Sequence, residues 1–132
     1  MIKKIVIFLL LSTSLIACSC ANIKLEDRIK STSDIYIGKL LSFNQAINKE
    51  HGYPFIQSKF ELVKVLKGKE LPLLNLVTGL GGGDCGISMN LNKNYLIFQN
   101  ENDNRISICD GSTMLNYQNS YIVNKVIKYL ED

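Results

Sequence analysis

Asp34-Ile35-Tyr36-Ile37-Gly38-Lys39-Leu40-Leu41-Ser42-Phe43 is dense in β-branched and aromatic side chains, and it predicts a β-strand. The chain on either side extends that pattern. After a polar connection over residues 44–54, residues 55–66 carry Phe60, Leu62, Val63, Val65 and Leu66 and predict a long, half-buried strand. It stops at Lys67-Gly68-Lys69, a turn signal. Residues 71–78 form a compact apolar run and predict a third strand. Tyr95-Leu96-Ile97-Phe98-Gln99 predicts a fourth and Arg105-Ile106-Ser107-Ile108-Cys109 a fifth, with a hairpin-like turn over residues 100–104. Leu25 and Ile29 stand at helical spacing within residues 22–31, before Ser31, Thr32 and Ser33 break the pattern. In the tail, Val123, Val126, Ile127 and Leu130 fall on one helical face. Five strands with a short helix near each end predict a mainly β domain, a five-stranded OB-fold-like barrel.

The 132 residues suffice for one domain, residues 18–132, preceded by a different kind of segment. Met1-Ile2-Lys3-Lys4 is a short basic head, residues 5–16 are apolar with small hydroxyl residues, and Ala17 precedes Cys18. That is the pattern of a signal peptide over residues 1–17, with an apolar run shorter than the ~20 residues a membrane span needs. Its removal takes away two of the 15 basic side chains, leaving 13 against 12 acidic ones and a net charge of about +1. No basic stripe suited to a phosphate backbone is present, which argues against a nucleic-acid partner.

All four cysteines, Cys18, Cys20, Cys85 and Cys109, fall in the exported part. An even count in a small exported chain predicts two disulfides. A Cys18–Cys20 bridge would be strained, so two pairings remain open. Both tie the N-terminal segment to distant residues, and each bridge would stabilise by roughly 4 kcal/mol in the chain-entropy model.

Other constellations carry little chemistry. The glycine-rich loop at residues 79–86 lacks the Lys and Ser or Thr of a phosphate-binding loop, and leads instead to Asp84 and Cys85. A zinc site built on the cysteines would show closely paired ligands in both halves of the chain, yet Cys85 and Cys109 stand alone in sequence. No cofactor and no metal held by this protein alone are expected. His51 is the only histidine, and no Gly-x-Ser-x-Gly elbow is present. Asp84, Asp103 and Asp110 read as turn formers. No catalytic set emerges, and the chain is not expected to be an enzyme.

The specific signal is an ordered series: Cys18-Ser19-Cys20; Ser33-Asp34-Ile35-Tyr36-Ile37-Gly38-Lys39; Phe60-Glu61-Leu62-Val63-Lys64-Val65-Leu66-Lys67-Gly68; Val77-Thr78-Gly79; Asp84-Cys85-Gly86; Asn94-Tyr95-Leu96-Ile97-Phe98; and Ile108-Cys109-Asp110-Gly111. Together these resemble the netrin-like N-terminal domain of the tissue inhibitors of metalloproteinases and their bacterial relatives. The resemblance implies disulfides Cys18–Cys85 and Cys20–Cys109. It also implies inhibition of a zinc metalloendopeptidase: the free amine and carbonyl of Cys18 would chelate the protease zinc, and Ser19 would enter the adjoining pocket. Two fates are open for Cys18, because Leu15-Ile16-Ala17-Cys18 also fits a bacterial lipobox. Lipidation there would anchor the domain in the cell envelope as a binding module. It would also occupy the Cys18 sulfur, and N-acylation would remove the amine. A membrane enters only through that lipid.

Overall fold

The computed structural model describes residues 18–70 and 73–132. The expected signal peptide, residues 1–17, lies outside the described residues. The element order is α1 (Leu25–Ser31), β1 (Asp34–Ile47), β2 (Pro54–Lys67), β3 (Leu73–Thr78), β4 (Asn94–Gln99), β5 (Thr113–Met114) and α2 (Tyr121–Glu131). Both helices are too short to cross a bilayer; among the described residues, no helix is long and apolar enough.

β1 organises the sheet. Its first half pairs antiparallel with β4, from Asp34 opposite Gln99 to Lys39 opposite Asn94. Its whole length pairs antiparallel with β2, from Ile35 opposite Lys67 to Ile47 opposite Pro54. With β3 beside β2 and β5 beside β4, the order is β3-β2-β1-β4-β5. Register shifts at Ile35/Tyr36, Ile37/Gly38 and Leu40/Ser42 bend the long hairpin.

Alternation along the strands feeds two cores, one on each face. Tyr36, Leu40, Phe60, Leu74, Leu76, Tyr95, Ile97 and Ile106 fill the inner one. Gly38 leaves room for it, since a Cβ there would come within 3.3 Å of Phe60 Cβ. Phe60 and Tyr95 meet edge to face at 5.3 Å between centroids. The Tyr95 hydroxyl is satisfied: it accepts from Asn90 N–H and donates to the Ser88 carbonyl, both at 2.8 Å. Ile29, Ile35, Leu96, Phe98 and Val126 form the second core under the helices.

α1 buries Ile29, with Glu26 and Asp27 in its first turn and Arg28 and Lys30 in its last, each suited to the helix dipole. Thr32 ends it, offering both its N–H (3.1 Å) and its hydroxyl (2.6 Å) to the Arg28 carbonyl. α2 packs through Val126, flanked by Ile122 and Tyr129. The buried face is thus rotated from the expected Val123–Leu130 stripe, and Leu130 is exposed.

The chain is mainly β, a five-stranded antiparallel sheet with two short helices, and pairing among the described residues does not close that sheet. One expectation needs correction: the segment Arg105–Cys109 is not a strand. Arg105 makes one parallel bridge to Val77, framed by Val77 N–H to Asn104 O and Ile106 N–H to Val77 O at 2.9 Å. Beyond it, the Ser107 hydroxyl accepts from Cys109 N–H at 3.1 Å and Asp110 accepts from Ser107 N–H at 2.9 Å. These local side-chain bonds take donors that a ladder needs and wind residues 108–110 into a 3-10 turn. The fifth strand is instead the two-residue β5.

Phe60 is fully buried, whereas Phe43, on the outer half of the hairpin, is 40% exposed. Phe60→Ala should cost about 3–5 kcal/mol of unfolding free energy, and Phe43→Ala less than about 1 kcal/mol, read from urea denaturation midpoints.

Candidate functional site

The strap formed by residues 18–20 is tied at both ends. Cys18 bonds to Cys85 and Cys20 to Cys109, each with Cα atoms 5.1 Å apart. This is the pairing that the resemblance implies, and no free cysteine remains among the described residues. Ser19, between the two ties, is exposed, as are Ala21, Asn22 and Ile23 after it. The strap therefore lies on the surface with its short middle residue facing solvent.

Its anchors are held by polar bonds of their own. The Asp84 carboxylate accepts three backbone N–H groups, from Leu80 at 2.7 Å, Gly81 at 2.9 Å and Gly86 at 3.1 Å. The glycines make this cradle reachable: a Cβ on Gly79 would run into the Asp84 carboxylate, and one on Gly86 would stand 2.6 Å from Gly81 N. The loop closes around an internal anion, so the expectation that it is no phosphate cradle now has a structural reason. The cradle delivers Cys85 in a left-handed conformation, φ 61°. From there the Cys85 carbonyl accepts from Ile108 N–H at 3.0 Å, joining this loop to the turn that carries Cys109.

The second anchor is a turn built on Asp110. Its carboxylate accepts from Ser107 N–H at 2.9 Å and from Ser112 N–H at 2.7 Å. The Ser112 hydroxyl in turn accepts from Phe98 N–H in β4 at 3.0 Å, fixing the turn to the sheet. Arg28 of α1 donates to the Cys109 carbonyl at 3.1 Å. Gly111, at φ 95°, lets that side chain pass, since a Cβ there would sit 2.6 Å from Arg28 Cδ.

Asp103 has the same occupation, accepting from Arg105 N–H at 2.9 Å. The three aspartates read as turn formers are turn acceptors. His51 is exposed at the β1–β2 turn, 3.8 Å from the Glu50 carboxylate and with its ring 6.4 Å from that of Tyr53. It shares the wall of an open groove with Asp84 and Arg105, but the Asp84 oxygens there already face backbone donors. Arg28 is the residue that sequence reading missed: its position among the charges of α1 gives no hint that it reaches a turn 81 residues away.

The two capping aspartates respond oppositely to pH. Burial acts to raise the Asp84 pKa, but the N–H groups of Gly86, Leu80 and Gly81 outweigh it and hold the carboxyl below its ordinary value. Its contribution to stability is present above the unfolded-state pKa and is lost as pH falls through the folded one. Burial pushes the Asp110 pKa up, against the bonds from Ser112 and Ser107 and the charge of Arg28. Its ionisation therefore lowers stability as pH rises from the unfolded to the folded pKa. Asp84→Asn should destabilise the protein at neutral pH, with the gap to wild type narrowing steadily in acid, as measured by urea denaturation across the acid range. No protein-family model matches the chain, and no curated protein matches it.

Proposed function

We propose that the protein inhibits a zinc metalloendopeptidase by presenting Cys18 to the enzyme's metal. The observation that carries this reading is the strap: Cys18 and Cys20 are each bonded into a stapled loop, and Ser19 is exposed between them. Cleavage after Ala17 would give Cys18 a free α-amine, and an α-amino pKa near 8 leaves part of it unprotonated at neutral pH. That nitrogen and the Cys18 carbonyl oxygen form a short bidentate pair able to fill the open position of a catalytic zinc. Two ties on either side of Ser19 reduce the ordering cost of binding. On this reading the exposed Ser19 enters the pocket beside the metal.

The rival reading is a lipid-anchored binding module of the cell envelope. The Leu15-Ile16-Ala17-Cys18 lipobox supports it, and the two readings compete for the same sulfur. In one, Cys18 Sγ bonds to Cys85; in the other it carries diacylglycerol.

The intact mass of the protein from its native host separates them. Unmodified Cys18 at the N-terminus, with four cysteines alkylated only after reduction, supports the inhibitor. Added acyl mass with one freely alkylated thiol supports the anchored module. The protein with a free Cys18 amine should then inhibit at least one member of a panel of zinc endopeptidases. One extra alanine before Cys18 should weaken that inhibition by about 100-fold or more, about 2.8 kcal/mol. Equal inhibition with and without the extra residue would remove Cys18 chelation from consideration.

A further inference from the structure

Residues that are far apart in sequence converge at the two bridges. The Sγ atoms of Cys18, Cys20, Cys85 and Cys109 all lie within 4.8 Å of one another. Between the bridges, Cys18 Sγ is 3.8 Å and Cys85 Sγ 3.6 Å from Cys109 Sγ. A zinc ion bound to four thiolates at about 2.3 Å sets the sulfurs about 3.8 Å apart along each tetrahedral edge. The two contacts of Cys109 with the other bridge already have about that length, and the remaining pairs lie within 4.8 Å. The two bonded pairs would have to open from about 2.0 Å. The objection that Cys85 and Cys109 stand alone therefore holds in the sequence and not in the fold.

The ligand positions also have support that does not depend on the bridges. Asp84 holds the loop of Cys85, and the Cys85 carbonyl is bonded to Ile108 N–H. Cys109 is fixed through Ser107 on its N–H and Arg28 on its carbonyl. Neither hydrophobic cluster contains a cysteine. Cys18 and Cys20 belong to a short strap in which Ser19 and Cys20 are exposed. Arg28 brings a positive charge toward the thiolates, while Asp84 and Asp110 spend theirs on backbone N–H groups.

We infer that the reduced protein binds one zinc ion, or a similar soft divalent cation, through Cys18, Cys20, Cys85 and Cys109. Reduction by a dithiol breaks each S–S bond: two electrons enter, both sulfurs gain protons, and the donor leaves as its own disulfide. Zinc then displaces the four thiol protons to solvent and forms four Zn–S bonds. Thiol–disulfide exchange with an external disulfide restores each bridge, that disulfide leaving as two thiols, and the metal is released. The same four sulfurs thus close the strap in either redox state. This inference concerns the reduced chain alone and is independent of the inhibitor reading, which uses the oxidised one.

The test is a titration of the purified protein with cobalt(II) under argon, after reduction with a phosphine. One equivalent should give sulfur-to-cobalt charge transfer and the intense visible bands of tetrahedral thiolate coordination, which zinc then bleaches. The oxidised protein should give neither. One equivalent of zinc should raise the thermal midpoint of the reduced protein by about 5 °C or more. Cys85→Ser and Cys20→Ser, each reduced, should both lose the four-thiolate spectrum. Absence of the bands in the reduced protein would overturn the inference, whether or not circular dichroism shows it folded. So would equally intense bands from the reduced chain in urea, since an unfolded chain gathering cobalt needs no built site.

Discussion

The central constraint of the structure is the double commitment of β1. From Ile35 to Lys39 it has a partner strand on each edge, and its side chains feed a core on each face. Ile35 looks toward the helices and Tyr36 toward the inner core, so a one-residue slip would exchange the two environments. That fixes β2 and β4 in register, and with them the positions from which the loops of Cys85 and Cys109 depart. Gly38 belongs to the same constraint: it lets Phe60 cross close to the β1 backbone and meet Tyr95.

The strap depends on this frame through two charged turns rather than through apolar packing. Asp84 and Asp110 each gather backbone N–H groups from residues close in sequence, and each carries a bonded cysteine next to it. Carboxylates suit this task because an ionised acceptor bonds N–H groups more strongly than a neutral one. Ser112 and Arg28 then connect the Asp110 turn to β4 and α1. The exposed strap is thereby coupled to the second core.

The first four strands were legible because each one is set by its own pattern. β1 and β2 begin and end within a few residues of where β-branched and aromatic side chains give way to polar ones or to Gly68. The fifth was misread because Ile106 and Ile108 alternate as strand residues do. Ile106 is indeed fully buried, but the turn made by Ser107 and Asp110 leaves Ile108 49% exposed. Whether a serine hydroxyl caps its own turn or leaves the N–H to a neighbouring strand depends on what lies alongside, which the local pattern does not contain. The α2 face shifted for a similar reason, since the surface it meets includes Leu66 and Leu115 as well as its own stripe. At the strap, residue-level reading left two cysteine pairings open and the resemblance indicated the one found. The convergence of all four sulfurs is a tertiary fact, produced where the strap meets the β3–β4 and β4–β5 connections.

The asymmetry of the β1–β2 hairpin has its own consequence for how the protein breathes. Up to Lys39, β1 is hydrogen-bonded on both edges; from Ser42 to Ile47 its only strand partner among the described residues is β2. The outer arm also carries side chains that are mostly exposed, Phe43 and Ile47 among them. Amide protons there should exchange through local fraying, and those of the inner half only as the whole sheet comes apart. A single continuous hairpin should thus hold two levels of hydrogen-exchange protection, with the boundary at the register shift between Leu40 and Ser42.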